Sequence, residues 1–285
     1  MNDNKTNDNK SFPPPPEPLR VPVPDSHTHL DFTLSFGGSG GPDTVEHAID
    51  LARTAGVDRL VQVGTDVDSS RWAATAAARH PAIVATVAIH PNDAPRLSNL
   101  DSALRKIEAL AAEPRVRGVG ETGLDTFRTG ESGRPAQEAS FRAHIAIAKR
   151  HGKPLVIHDR DAHADILRVL DSEGAPETVV LHCFSGDAEF AAECVRRGYV
   201  LSFAGTVTFA SAGALRAAAR VTPVDQLLVE TDAPFLTPMP YRGRPNASYL
   251  IPLTVRALAE VKEVDLDALC AAVSATGERV FGPWW

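Results

Sequence analysis

Cysteine is scarce in this sequence. The 285 residues include only three cysteines, Cys183, Cys194 and Cys270, and their spacing forms no motif. An odd and sparse set excludes a disulfide framework and is typical of a protein kept in a reducing compartment. We therefore expect a cytoplasmic protein.

Long apolar runs and an excess of positive charge are missing as well. No stretch approaches the ~20 apolar residues of a membrane span, and the first 20 residues contain no apolar segment of a secretory signal. We expect no contact with a membrane. The net charge of −7 argues against a protein that its overall charge holds to nucleic acid. A local basic patch, or metal ions that supply positive charge, would still be compatible with it.

What is present divides into two parts. Residues 1–20 (MNDNKTNDNKSFPPPPEPLR) are polar and then proline-rich, which predicts a disordered tail with a short polyproline stretch. Residues 21–285 show no shift in composition, and we interpret them as one domain. The contents of 43% apolar and 23% charged residues are ordinary for a soluble globular protein.

Within this domain, short β-branched runs alternate with Ala-, Leu- and Arg-rich helical stretches. Eight strands are predicted, at residues 21–27, 58–64, 83–90, 116–121, 154–158, 178–183, 199–204 and 226–231. Strands that alternate with helices indicate parallel βαβ units, and eight such units match the usual size of a (β/α)8 TIM barrel, roughly 250 residues. A doubly wound open sheet is the competing fold. It usually has fewer strands, and no GxGxxG follows the first strand here.

Residues that bind metals or transfer protons follow most of these strands. The stretch DSHTHLD places His27 and His29 two residues apart, so that both point to the same face of the first strand. The later strand ends carry His90, Glu121, His158, His182 and Asp232. Because the carboxyl ends of barrel strands gather around one mouth, we expect one cluster there rather than unrelated core or capping residues.

Six of these side chains are predicted metal ligands. They are His27, His29, Glu121, His158, His182 and Asp232. A catalytic ion usually takes three protein ligands and an open position, so six ligands indicate two divalent ions that Glu121 or a hydroxide would bridge. The nitrogen-rich set suits Zn, Mn, Fe or Ni best, with Mg retained as a candidate. Such a site hydrolyses a carbonyl or phosphoryl centre, with Glu121 and Asp232 as the catalytic carboxylates and Asp232 able to accept a proton from water.

The motifs HTHLD, GETGLD, VIHDRDA, LHCFSG and ETDAPFL, in that order, resemble the TatD family of metal-dependent hydrolases in the amidohydrolase superfamily. The resemblance covers almost everything from residue 25 onward. It implies a (β/α)8 barrel, a divalent-metal site and deoxyribonuclease activity, including 3′–5′ exonuclease activity. It also implies that His27, His29, Glu121 and Asp232 hold one metal, and that Glu121, His158 and His182 hold the other. Ala88, Thr126, Ala247 and Gly277 depart from the family pattern, but none replaces a metal ligand.

Five residues are candidate substrate contacts. They are His90, Arg160, Ser185, Arg242 and Arg244. The arginines can bind phosphate oxygens, with an ion pair to Asp159 or Asp161 as the alternative for Arg160. Ser185 is predicted at a helix start, where backbone N–H groups favour an anion, with plain N-capping of the helix as the alternative. Glu230, two residues before Asp232, should face the barrel interior and orient a ligand.

The leading hypothesis is a 3′–5′ exonuclease that cleaves DNA, as single strands or at 3′ ends. A deacylase or amidohydrolase that acts on a small molecule or an aminoacyl-tRNA is the alternative. A binding protein with a vestigial site is the third hypothesis, and the complete ligand set argues against it. We expect a monomer.

Overall fold

Eight parallel strands form one sheet in which each strand pairs with the next along the chain. The computed structural model describes residues 11–284. The strands are β1 (Val23–Thr28), β2 (Val57–Val63), β3 (Ile83–Val87), β4 (Val116–Asp125), β5 (Leu155–Arg160), β6 (Val179–Leu181), β7 (Val200–Phe203) and β8 (Leu227–Val229). The predicted (β/α)8 barrel is confirmed, because strands and helices alternate through a single domain.

The helices connect the strands and close the chain. They are α1 (Leu30–Ser35), α2 (Val45–Thr54), α3 (Val67–Arg79), α4 (Leu100–Ala111), α5 (Arg134–His151), α6 (His163–Glu173), α7 (Ala188–Arg196), α8 (Gly213–Val221), α9 (Ile251–Lys262) and α10 (Leu266–Phe281). Among the described residues, no helix combines the length and the apolar content that crossing a membrane requires.

Two layers of apolar side chains form the core. One lies inside the barrel and includes Val156 and Val180, which are buried and belong to a cluster separate from the one beneath the helices. Because side chains two residues apart share a face of a strand, His158 and His182 continue this inner face at the mouth. The valines therefore pack directly below the polar residues at the mouth of the barrel.

Strand β4 is longer than predicted. It was expected to end at Glu121, but it continues to Asp125 and stays paired with β5 through this stretch. Gly123 allows the close pairing, because a Cβ atom at this position, where φ is +141°, would lie 2.1 Å from the carbonyl oxygen of His158. The extension carries Asp125 to the mouth next to His158.

The seam between β1 and β8 is closed by backbone and side-chain contacts. An isolated bridge pairs Thr28 with Ala233, and the His29 N–H donates to the carbonyl of Ala233 at 2.9 Å. The buried carboxylate of Asp25 accepts hydrogen bonds from the backbone N–H of Thr231 at 2.9 Å and from its hydroxyl at 2.6 Å. Burial raises the pKa of Asp25 to about 7, against the opposing effect of these hydrogen bonds. Asp25 therefore holds β8 against β1 next to the metal ligands.

Residues 11–20 differ from the predicted tail. Phe12 and Leu19 are buried, and the Leu19 N–H donates to the carbonyl of Ala55 at 3.0 Å. The hydroxyl of Tyr249 donates to the carbonyl of Pro13 at 2.6 Å. The two apolar side chains explain why this stretch packs on the barrel, since their burial favours order over disorder. The rest of the predicted tail, residues 1–10, lies outside the described residues.

Candidate metal centre

Glu121 lies at the centre of the predicted cluster. Its Oε2 atom lies 3.5 Å from Nε2 of His27 and 3.8 Å from Nε2 of His29. Its Oε1 atom lies 2.6 Å from Nδ1 of His158 and 2.8 Å from Nε2 of His182. The two carboxylate oxygens thus face two different groups of histidines, which is the arrangement that a carboxylate shared by two ions requires.

Asp232 completes the group around His27 and His29. Its Oδ1 atom lies 3.4 Å from Nε2 of His29 and 3.8 Å from Nε2 of His27. Asp232 has a φ of +52°, and its N–H donates to the carbonyl of His27 at 2.9 Å. This hydrogen bond across the β1–β8 seam holds the turn in the left-handed region, which is uncommon for a residue other than glycine. The turn points the carboxylate toward the histidines.

His90 lies within the cluster and not only at its edge. Its Nε2 atom is 3.3 Å from Oε1 of Glu121, on the same side as His158. The ligand atoms of His90, Glu121 and His158 all lie within 4.8 Å of one another, as do those of His27, His29 and Asp232. We predicted His90 as a substrate contact, and its position is equally suited to a metal ligand.

Two histidines, His29 and His182, are oriented by a partner on the far side of the ring. Nδ1 of His29 lies 3.2 Å from the carbonyl oxygen of Val63, and Nδ1 of His182 lies 3.1 Å from Oε1 of Glu230. Such contacts fix which nitrogen faces a metal. The position of Glu230 agrees with the prediction made from its spacing to Asp232.

Asp125 is the orienting residue that sequence reasoning missed. Its Oδ2 atom lies 3.3 Å from Nε2 of His158, opposite the contact of that ring with Glu121. Burial would raise the pKa of Asp125, but His158 and hydrogen bonds from Arg128 and Asn92 hold it well below its usual range. Asp125 is the aspartate of the GETGLD motif, and predicting that β4 continues to this residue would have placed it at the mouth.

The donor atoms fit a divalent metal. Both ring nitrogens of His27 are buried without a hydrogen-bond partner, although carboxylates of Glu121 and Asp232 lie within 4 Å of Nε2. A buried polar atom without a partner is costly, and ligation would remove the cost at Nε2. The set of imidazole nitrogens and carboxylates is the one that zinc and similar ions take.

Both carboxylates at the centre favour the anionic form. Burial acts to raise the pKa of Glu121, but the charges of His182 and His90 and hydrogen bonds from the histidines lower it well below its ordinary value. Burial also opposes ionisation of Asp232, while the hydrogen bond from His29 and the charge of His27 lower its pKa. Deprotonated carboxylates are the form that binds a metal.

A cavity of about 1150 Å³ opens above the centre, and all five predicted substrate contacts line it. The guanidinium of Arg160 lies over the ring of Phe127, 4.5 Å from its centroid, and that of Arg242 lies 4.4 Å from the centroid of Phe209. Both arginines are therefore held at the mouth by aromatic stacking.

Two of the predicted contacts have structural partners. Arg244 donates to the carbonyls of Ser11 at 2.9 Å and Phe12 at 2.7 Å, so it anchors the N-terminal segment. The hydroxyl of Ser185 donates to the carbonyl of Asp159 at 3.3 Å. Ser185 does not begin the following helix, because Asp187 is the N-cap residue of α7 and its side chain accepts a hydrogen bond from the N–H of Phe190. The predicted anion position at this helix start is thus taken by a carboxylate.

Comparison with known proteins matches the chain to one family. The family described as TatD related DNase matches residues 24–282 of the chain. The chain belongs to the TatD family. It is a metal-dependent hydrolase, and the resemblance inferred from its motifs is confirmed.

The relatives cover nearly the whole chain. An uncharacterized metal-dependent hydrolase TatD from Mycobacterium tuberculosis is 46% identical over 265 residues, which cover 92% of this chain and 98% of the relative. A 3′-5′ ssDNA/RNA exonuclease TatD from Cronobacter turicensis is 36% identical over 259 residues, with coverage of 88% and 97%. The crystal structure of YjjV, a TatD homolog from Escherichia coli K12, is 27% identical with a TM-score of 0.82 and covers 91% of this chain and 97% of its own.

Proposed function

We propose that this TatD-family hydrolase is a 3′–5′ exonuclease that shortens single-stranded DNA. The observation that carries the proposal is the position of Glu121, whose two oxygens face two groups of histidines at the floor of a large open cavity. The exonuclease named among its relatives supports the same reaction.

We propose two divalent ions per chain. His27, His29 and Asp232 would hold one and His158 and His182 the other, with Glu121 shared and His90 as a further donor. Bound ions would supply Lewis acidity and lower the pKa of a water that attacks the phosphorus. The protein would hold these ions in place through the positions and charges of the ligand side chains.

Asp232 is the proposed general base. Its side chain is 15% exposed, whereas that of Glu121 is 5% exposed, so Asp232 is the carboxylate that a water in the cavity reaches more easily. Its pKa is lowered, which keeps it deprotonated at neutral pH and able to accept a proton. Its backbone is fixed by the hydrogen bond to His27, so the carboxylate is preorganised for this step.

The walls of the cavity suit a polyanion. Arg128, Arg160 and Arg242 line it among carboxylates such as those of Asp159 and Asp161, so the arginines and any bound metal ions would supply the positive charge that phosphates need. A cavity of about 1150 Å³ exceeds the roughly 300–1000 Å³ typical of a small-molecule pocket. The size of the cavity and the arginines on its walls favour a nucleic-acid strand over the small substrates of a deacylase.

The three cysteines, Cys183, Cys194 and Cys270, are free thiols. This supports the proposed location in a reducing compartment such as the cytoplasm.

The test is digestion of a single-stranded oligonucleotide by the metal-loaded protein. A 5′-labelled strand should give a ladder of products that shorten from the 3′ end, and a 3′-labelled strand should release labelled mononucleotide at once. Asp232→Asn is the inactive control. Cleavage of a lactone or a D-aminoacyl-tRNA without shortening of DNA would overturn the proposal in favour of a deacylase.

A further inference from the structure

Two phenylalanine side chains stand exposed beside the metal centre. Phe32 is 45% exposed and Phe235 is 53% exposed. Their ring centroids lie 6.5 Å apart, and they lie 5.7 and 6.4 Å from the ring of His29. Large apolar faces in solvent are unfavourable, and a pair of them next to a hydrolytic site marks a surface that binds an apolar part of a ligand.

The positions of these rings are fixed by the backbone. Phe32 lies in the first turn of α1, three residues after His29, which is the N-cap residue of this helix. The Phe235 N–H donates to the carbonyl of Asp232 at 2.9 Å, and its own carbonyl accepts from the buried side chain of Asn246 at 2.7 Å. A rigid backbone and an exposed ring together give a preorganised contact surface, which lowers the entropy cost of binding.

The opposite wall of the mouth differs in chemistry. Phe32 and Phe235 follow β1 and β8, whereas Arg128 and Arg160 follow β4 and lie at the end of β5. In a barrel whose strands run in order from β1 to β8, β4 and β5 lie across the mouth from β1 and β8. The metal ligands therefore lie between an aromatic wall and an arginine wall.

We infer that Phe32 and Phe235 form a stacking site for the 3′-terminal nucleobase, and that Arg128 and Arg160 bind the phosphates of the strand behind it. This inference rests on the proposed exonuclease function. The terminal nucleotide brings one flat apolar base, while the remaining strand brings one negative charge per nucleotide and needs the cationic wall. Stacking on phenyl faces does not depend on base identity, so the site suits an enzyme that removes every nucleotide in turn.

The first experiment compares oligonucleotides whose 3′-terminal residue is natural or abasic. With the wild-type protein, the abasic end should raise KM on the order of tenfold, the effect of losing one stacked base. Phe32→Leu and Phe235→Leu keep an apolar side chain but remove the aromatic face, so they should raise KM for the natural end and abolish the difference. Phe36→Leu is the matched control, because the Phe36 ring packs edge-on against Phe12, 6.1 Å between centroids, and this variant should keep the difference.

A second readout does not depend on turnover. A strand with 2-aminopurine at its 3′ end and a cleavage-resistant phosphorothioate terminal linkage should change in fluorescence on binding to wild type, as its base leaves the neighbouring base for the phenyl rings, and change much less on binding to the Phe32 and Phe235 variants. Metal content and thermal melting of each variant should match wild type, which separates lost stacking from a disturbed His29.

The outcomes distinguish the inference from the function on which it rests. If wild type digests DNA with equal KM for natural and abasic ends, the stacking site is wrong and the exonuclease stands. If the discrimination appears only with an abasic residue at the second position from the 3′ end, the assignment to the terminal base is overturned. If no oligonucleotide is shortened, the proposed function itself fails.

Discussion

Oδ2 of Asp125 lies 3.3 Å from Nε2 of His158, on the side of the ring opposite Glu121. The carboxylate fixes the tautomer that leaves Nδ1 of His158 free to face a metal. Partners of this kind contribute strongly to metal affinity, typically by a factor of about 10–100. Strand β5 therefore supplies the ligand His158, and β4 supplies Asp125, which orients it.

We call the ion beside His27 and His29 the first and the ion beside His158 and His182 the second. We predict that Asp125→Asn lowers the affinity for the second ion by about 10–100-fold and leaves the affinity for the first nearly unchanged. The reason is that, of the proposed metal ligands, His158 is the one that Asp125 contacts, and His158 lies on the side of the second ion. Competition with a fluorescent chelator measures both affinities. Asp159→Asn, a matched change one residue from His158, serves as the control, and equal losses in the two variants would contradict the prediction.

Two metal ions should bind per chain when the protein is reconstituted with excess metal. Glu121→Gln should reduce this number and also lower the melting temperature of the metal-loaded protein, because Glu121 faces both groups of histidines. Ligands that bind only the folded state stabilise it, so removal of metal with a chelator should lower the melting temperature of wild type. Metal analysis and calorimetry check both statements, and a stoichiometry that never exceeds one would exclude the shared-carboxylate arrangement.

Arg242 and Arg244 should behave differently on substitution. Arg242→Ala is expected to raise KM for DNA with little change in kcat, because a positioning contact acts on ground and transition states alike. Arg244→Ala is expected to release residues 11–20, since its guanidinium bonds to the carbonyls of Ser11 and Phe12. Limited proteolysis of the N-terminal segment, combined with steady-state kinetics, separates the two effects.

Tyr249→Phe removes another hydrogen bond to the same segment, at Pro13, and is the control for Arg244→Ala. It should increase proteolysis in the same direction. If Arg244→Ala raises KM but leaves residues 11–20 protected from proteolysis, Arg244 is a substrate contact rather than an anchor of this segment.

His144 should make the stability of the fold depend on pH. Burial lowers its pKa from 6.5 to about 4, against the effect of its hydrogen bond to the Ser140 carbonyl. Below pH 6.5 the unfolded chain takes up a proton at His144 that the folded chain does not, so the free energy of unfolding falls as the pH is lowered toward 4. Once the pH is below 4, this pKa shift lowers the free energy of unfolding by about 3 kcal/mol.

Chemical denaturation of wild type and His144→Gln between pH 8 and 4 measures this contribution. Glutamine keeps an acceptor for the N–H of Ile89 but does not titrate. The difference between the two proteins should be constant above pH 6.5 and change only below it. A difference that stays constant down to pH 4 would show that His144 does not titrate as described.

Much of this molecule follows from local sequence patterns. The alternation of strands and helices predicted the barrel, and the polar residues at the ends of six of the eight strands predicted the cluster, because parallel strands end at one mouth. Asp125 and the role of Arg244 could not be predicted, since both depend on contacts between residues distant in sequence. The pairing of β4 with β5 beyond Glu121 depends on Gly123, and the anchoring by Arg244 depends on a segment whose proline content favoured a tail.

Asp232→Asn is predicted to abolish nearly all hydrolysis while the fold remains intact. Asp232 lies 3.4 Å from His29 and 3.8 Å from His27, so its carboxylate can both hold a metal and accept a proton from water. Asparagine keeps the shape and one oxygen but loses the charge and the basicity. Loss of a general base typically lowers the rate by about 10²–10⁴, and weaker metal binding adds to this loss.

The barrel should survive Asp232→Asn because its core consists of the apolar layers below the mouth. Circular dichroism and thermal melting check the fold, and kcat at saturating metal checks the chemistry. Asp161→Asn is a matched control, because Asp161 also lines the cavity and also has a positive φ, +55°; asparagine tolerates this conformation, and kcat should remain close to wild type. A variant of Asp232 that keeps more than about a tenth of wild-type kcat would lose less than the usual lower bound for a general base, and another residue would then have to accept the proton.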